Sequence, residues 1–290
     1  MAEPRLYTYG GSVKSDVSDE LINVYVLRPI AGTLVRLLYS TPITPNQVTL
    51  AAIAAGVIAS ALYFTNTPES LVLAGLCITL KDLLDTADGQ LARAKQTYSR
   101  AGRFLDSIGD FLVNFLVFAA IGFALVSSSG EFLFCFLAGA GFVGTTFRVS
   151  YHVFYQTSFL HTKRLYSTNR TSEEVRPVDL TSSRSTLTLQ RVFQLLYGWQ
   201  DRLVIRIDRW CSGKVEPGLD KSGWFVDRMG LRLSGLLGLG TEMFLLTLAS
   251  VSNQIVAYLF VNVIVMNSIL TSSIVYRRVI LRNRLASDDT

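Results

Sequence analysis

The stretch DTADGQLARAKQTYSRAGRFLDSIGD, residues 85–110, decides how the rest of the chain is read. It places Asp85, Asp88, Asp106 and Asp110 on the flanks of two apolar segments. On a helix the i,i+3 spacing puts Asp85 and Asp88 on one face, and i,i+4 does the same for Asp106 and Asp110. Ionisable groups inside a bilayer are costly, and by default they mark a functional site. Four acids together repel one another unless a cation lies between them. Two facing pairs make an oxygen-rich pocket suited to Mg²⁺ or Mn²⁺.

The surrounding composition explains where such a pocket sits. Half of the 290 residues are hydrophobic and 17% are charged, against about 25% in soluble domains. The chain therefore reads as an all-α polytopic membrane protein, one domain over residues 1–290. Six spans are expected, near 46–65, 70–93, 104–126, 132–154, 231–250 and 254–276. The connections Thr65–Glu69, Ser127–Glu131 and Ser250–Asn253 hold no Lys or Arg, whereas the remaining connections and both tails are rich in them. By the positive-inside rule both termini and the Asp pocket face the cytoplasm. The opening MAEPRLYTYGG has no basic region followed by an apolar core and is not expected to be a cleavable signal. Cys77, Cys135 and Cys211 lack metal spacing and read as apolar filler.

Residues 1–45 read as a tail plus an interfacial amphipathic helix over 17–39, which Pro29 breaks or restarts. Ser40–Pro45 forms a rigid turn, with Thr44 or Asn46 capping the first span. Residues 46–155 hold spans 1–4 and the acids, 156–229 form a cytoplasmic insertion, and 230–290 hold the last two spans and a tail. Within the insertion, 162–186 is polar and reads as a surface loop. Over 187–211, Leu189, Phe193, Leu196, Trp199, Leu203, Ile207 and Trp210 recur at helical spacing. With Arg191, Arg202, Arg206 and Arg209 between them, they predict an amphipathic helix on an anionic leaflet. The alternative is a helix packed on the protein itself.

The pattern Asp85-x2-Asp88-Gly89-x2-Ala92-Arg93-x8-Gly102-x3-Asp106-x3-Asp110 resembles the signature of the CDP-alcohol phosphotransferase family at every fixed position. Pro45, Asn46 and Thr49 resemble the family's start of the first span. The resemblance implies Asp85, Asp88 and Asp106 as metal ligands for Mg²⁺ or Mn²⁺. Asp110 would be the fourth acid, touching the metal and serving as general base. Gly89 and Ala92 would make room for cytidine, with Arg93 and Gly102 in the same binding set. Gly102 is equally suited to close helix packing. The implied partners are a CDP-linked donor, most often CDP-diacylglycerol, a polar alcohol acceptor such as an inositol or glycerol phosphate, and membrane lipid. Nucleic acid is not expected, and a homodimer is implied. Some members use a soluble CDP-alcohol and a lipid alcohol instead, and that alternative stays open.

Other polar residues at depth have two readings each. Lys81 and Asp82 either pair with each other or line the acceptor side. Arg148, ahead of Arg232, is the candidate to hold an acceptor phosphate, and snorkelling competes with that role. Glu242, Asn262 and Asn267 read as helix–helix hydrogen bonding. His152 and His161 read as structural. Salt bridges from the four acids to Arg93, Arg100 and Arg103 would be the purely architectural explanation. A transporter or proton relay would also bury carboxylates but tends to show repeats, and none is visible. A membrane prenyltransferase would split its acids between two separate motifs.

Overall fold

The structure, a computed structural model, describes residues 9–12, 20, 22–164, 173–175, 177–213 and 221–287. Residues 17–19 and part of 162–186 lie outside the described residues. No strand occurs among those described, and the long helices are α1 Arg28–Tyr39, α2 Pro45–Thr65, α3 Pro68–Ala94, α4 Arg100–Ser129, α5 Leu133–Thr162 and α6 Arg184–Ser212. They are followed by α7 Arg228–Gly235, α8 Leu239–Val251 and a continuous α9, Ile255–Arg284.

Helices α2, α4, α5 and α9 are each long and apolar enough to cross a membrane. Together with the family match reported below, they support an integral membrane protein. The expected fifth span departs from a single helix over 231–250, because α7 and α8 meet at a 41° bend. Gly238 at the break is extended, with φ −78° and ψ 166°. The Glu20 side chain fills the space a Cβ on Gly238 would need. Its Oε2 accepts from the Thr241 N–H at 2.7 Å, satisfying one of the orphan donors that a helix start exposes. Helix α3 has 27 residues, enough for about 40 Å at 1.5 Å per residue. Lys81, Asp82, Asp85 and Asp88 interrupt its apolar run.

Local chemistry fixes the helix ends. Thr44 caps α2 in a capping box with Gln47, and Thr67 does the same for α3 with Ser70. The turn before α2 is clamped by Lys95, whose ammonium donates to the carbonyls of Thr41 and Ile43, each at 2.8 Å. Pro29 does not break the N-terminal helix. The chain widens to a π turn over Asn23–Leu27 and continues into α1, which relieves the missing proline N–H.

Glycines set the approach of α2 to α4. A Cβ on Gly109 would lie 2.3 Å from Ile53 Cδ1, and one on Gly56 would lie 2.5 Å from Val113 Cγ1. Away from the acids, Tyr63, Ile78, Val117, Phe118, Ile121 and Leu246 form the largest apolar core. Helix α6 packs one face on α4 and α5, with Phe193 against Phe104 and Tyr197 against Phe111. Its other face leaves Leu195, Trp199 and Trp210 exposed. Of the two readings of this helix, packing on the protein itself holds for the inner face. The expected loop is also less free than its composition suggests. Glu173 and Asp179 are buried and accept from Arg100 and Arg103, and Gln190 donates to Asp179 at 3.1 Å.

Candidate active site

The end of α3 and the start of α4 bring three of the four motif carboxylates together. Asp85, Asp88 and Asp106 each offer one oxygen, and these oxygens lie within 4.8 Å of one another. Thr49 on α2 donates its hydroxyl to Asp88 Oδ2 at 2.5 Å. That bond joins α2 to α3 and orients one carboxylate. Three hard, mutually close anions are a donor set for a divalent cation with oxygen preference. Asp110 stands apart from the trio and accepts from the Lys81 ammonium on α3. Lys81 therefore pairs across helices with Asp110 rather than with Asp82, and both Lys81 and Asp82 are buried.

Two cavities meet at the trio. The first, of about 130 Å³, is lined by Asn46, Thr49, Asp88, Gly89, Ala92, Arg93, Gly102 and Asp106 among others. A Cβ on Gly89 would meet nothing tighter than the Arg93 guanidinium at 3.5 Å, so this wall is open. At Gly102 a Cβ would lie 2.8 Å from Asn46 Oδ1, so there the glycine serves close packing. The second cavity, of about 320 Å³, shares Arg103 and Asp106 with the first and extends past Asp85 and Asp110.

Arg148 does not line either cavity. It is 0% exposed, and its guanidinium donates to Glu242 through Nε at 2.9 Å and again through Nη2. Nη1 donates to Asn267 at 2.7 Å, and Nη2 also reaches Thr145 Oγ1 at 3.0 Å. Neither phosphate capture nor snorkelling describes this residue as it stands. It belongs with Glu242, Asn262 and Asn267 in one interhelical network. Arg100 and Arg103 pair with Glu173 and Asp179.

Residues 42–166 match the family model described as CDP-alcohol phosphatidyltransferase. The match covers less than half of the chain, and through this segment the chain is similar to that family. It is 34% identical over 125 residues to a "Bifunctional IPC transferase and DIPP synthase" of Thermococcus kodakarensis, covering 43% of this chain and 28% of that protein. It is 39% identical over 75 residues to the "Archaetidylinositol phosphate synthase" of Pyrococcus horikoshii, covering 26% of this chain and 38% of that protein. The chain thus spans well under half the length of these curated relatives.

The first cavity is built wholly within the CDP-alcohol phosphatidyltransferase segment. The second also draws on Glu20, Asn23, Glu173, Phe193, Tyr197, Asp201 and Leu239, which lie outside it. Sequence reasoning missed most of this second wall. Asn114, Thr145, Ser150, Gln156 and Thr157 line it from α4 and α5. Their only signal in the sequence is polarity inside otherwise apolar helices. His152 also lines it. On α6, Asp201 is pushed up to about 6, first by burial and then by the neighbouring Glu173, with Arg202 opposing.

Proposed function

We propose that the chain, as a single membrane domain, transfers a phosphatidyl-type group from a CDP-linked lipid, such as CDP-diacylglycerol, to the hydroxyl of a polar alcohol, releasing CMP. The single observation that carries this is the carboxylate trio lying where the two cavities meet. The cavity along Gly89, Ala92, Arg93 and Gly102 receives the cytidine end of the donor, and the cavity past Asp110 receives the acceptor. Both named relatives are synthases or transferases by their printed names, which supports the reaction class.

Asp85, Asp88 and Asp106 would hold Mg²⁺ or Mn²⁺. Such an ion would supply positive charge against the pyrophosphate and make CMP a better leaving group. Thr49 fixes the Asp88 carboxylate for that duty. Asp110 takes the proton from the acceptor hydroxyl, and Lys81 holds its carboxylate in position. The hydroxyl oxygen forms a bond to the phosphorus that carries the lipid. The phosphorus–oxygen bond to CMP breaks, and its electron pair leaves with CMP.

Helix α3 is the sixth span in this reading, its charges gathered at the cytoplasmic end and sheltered by α1, α2 and α8, against which it packs. Both termini and the site face the cytoplasm, in keeping with the Lys- and Arg-free connections on the other side.

The test uses purified protein with radiolabelled CDP-diacylglycerol, Mg²⁺ or Mn²⁺, and a panel of alcohols. Metal-dependent CMP release coupled to a new lipid is expected. EDTA should abolish it and either ion should restore it, while Ca²⁺, which takes more ligands in looser geometry, supports little turnover. Full activity in chelator would end the metal assignment.

A further inference from the structure

The cavity beyond Asp106 has a wall chemistry that bears on the acceptor. Among the described residues, its only Lys or Arg is Arg103, whose Nη2 already donates to Glu173. Besides the motif acids, Glu20, Glu173 and Asp201 also line it. Arg148, a buried cation of α5, is consumed by Glu242. A phosphate monoester placed here would meet several carboxylates and no uncommitted guanidinium, and at low effective dielectric that repulsion is large.

An ammonium fits little better, because the carboxylates are occupied by donors of the chain itself. Glu20 accepts from Thr241, Glu173 from Arg100 and Arg103, and Asp110 from Lys81. Asp201, the remaining acid outside the trio, has the Arg202 guanidinium beside it as a counter-charge.

What the wall offers instead is a complementary pair of neutral groups. Asn114 lies one helical turn past Asp110 on α4 and is 6% exposed. Its Oδ1 is buried and has no hydrogen-bond partner, a costly state unless a donor arrives. Thr145 on α5 is the reverse case. Its Oγ1 accepts from Arg148 Nη2 at 3.0 Å and from Asn262 Nδ2 at 2.9 Å. Both lone pairs are thereby used, and its hydroxyl proton is left to donate. An alcohol hydroxyl both donates and accepts, so a run of hydroxyls satisfies Asn114 and Thr145 together. Ser150, Gln156 and Thr157 continue the same neutral wall. The volume of about 320 Å³ lies at the lower end of small-molecule sites.

We propose that the acceptor is an uncharged polyhydroxy alcohol, held by Asn114 and Thr145 so that one of its hydroxyls meets Asp110. This rests on the transfer reaction proposed above. The expectation of a phosphorylated acceptor is replaced, because the arginine meant to hold its phosphate is spent inside the protein.

The experiment compares glycerol and inositol with glycerol 3-phosphate, inositol 1-phosphate and ethanolamine as acceptors, using CDP-diacylglycerol and Mn²⁺ in lipid–detergent micelles. CMP release and labelled lipid are both read. At least one free polyol should exceed its phosphate ester about tenfold or more in kcat/KM, roughly one good hydrogen bond or charge contact. Asn114→Ala should raise the polyol KM about tenfold and leave the donor KM within about twofold. Unchanged Mn²⁺ binding by calorimetry would show that the variant is folded. If it does not fold, the acceptor panel on the native chain decides alone. Preference for a phosphate ester or for ethanolamine overturns the polyol inference and leaves CDP-linked transfer standing. An unchanged polyol KM in folded Asn114→Ala overturns it too. No CMP release with any acceptor overturns the transfer reaction and the inference with it.

Discussion

The two cavities that meet at Asp106 are built in opposite ways. The smaller one is assembled from residues 45–106, a short run in which α2, α3 and the start of α4 follow one another. The larger one gathers residues from Glu20 to Leu239. Chemistry common to a family can be written into a compact motif, because neighbouring helices present it with little help. Recognition of a variable partner is left to side chains that only the finished bundle brings together.

Substitutions on the two sides should therefore fail differently. Asp88→Asn removes a charged member of the trio and keeps its shape, so turnover should fall by about 1,000-fold or more at any acceptor concentration. Gln156→Ala on the far wall should cost about tenfold in kcat/KM, recovered by raising the acceptor concentration. Equal and unrecoverable losses in both variants would erase the distinction between a chemical side and a recognition side.

A second comparison sets the trio against the buried pair Arg148–Glu242. Removing one partner of a buried pair typically costs about 3–5 kcal/mol, because the other charge is stranded. Arg148→Ala should lower thermal stability accordingly, and Arg148→Met with Glu242→Leu should recover most of it. Asp88→Asn, which relieves repulsion, should not destabilise. A stable Arg148→Ala protein with a raised acceptor KM would return Arg148 to substrate binding.

Asp201 offers a smaller and pH-dependent effect. Its folded value is raised to about 6, above the ordinary carboxylate range near 4. A raised carboxyl contributes stability that is present below its unfolded value and lost as pH climbs through the folded one. The loss thus falls between about pH 4 and pH 6. Asp201→Asn should be more stable than the parent at pH 7, by at most about 3 kcal/mol, and the gain should vanish near pH 3.5. Thermal unfolding at both pH values in one detergent tests the sign.

The smallest effect concerns the outer face of α6, where Trp199 is 45% exposed. Trp210 carries the Arg278 guanidinium over its ring at 3.6 Å to the centroid, so Trp199 is the cleaner reporter. In a Trp210→Phe, Trp224→Phe chain, brominated lipid should quench Trp199. Replacing Arg191, Arg202, Arg206 and Arg209 with Gln should weaken attachment to anionic bilayers by about 1 kcal/mol per charge. Unquenched Trp199 would mean that protein covers this face.

The sequence made the first side legible and left the second mostly dark. Four acids at fixed spacing, the Thr44 cap and the tightly spaced glycines are local signals, readable because a helix converts sequence distance directly into geometry. Glu20 reaching Thr241, or Glu173 reaching Arg103, depends on how distant helices lie together, which no spacing rule encodes. The bend between α7 and α8 was hidden for the same reason. Gly235 and Gly238 permit it, but it is Glu20 that occupies it. For Arg148 the sequence shows its depth in the helix and not its partner, Glu242.

That partner has a consequence for how the chain is made. Glu242 follows Arg148 by 94 residues. At about 5–20 residues per second of synthesis, α5 waits some 5–20 s for the counter-charge its guanidinium needs. Leaving an arginine unpaired inside a bilayer costs at most about 2.5–3.5 kcal/mol by insertion scales, the full figure applying only at the centre. Helix α5 is therefore poorly suited to leave the insertion machinery on its own, and the natural order is release together with α8. Glu242→Leu would take away the reason to wait and the means to settle, and its damage would fall on membrane insertion of the newborn chain before any substrate is met.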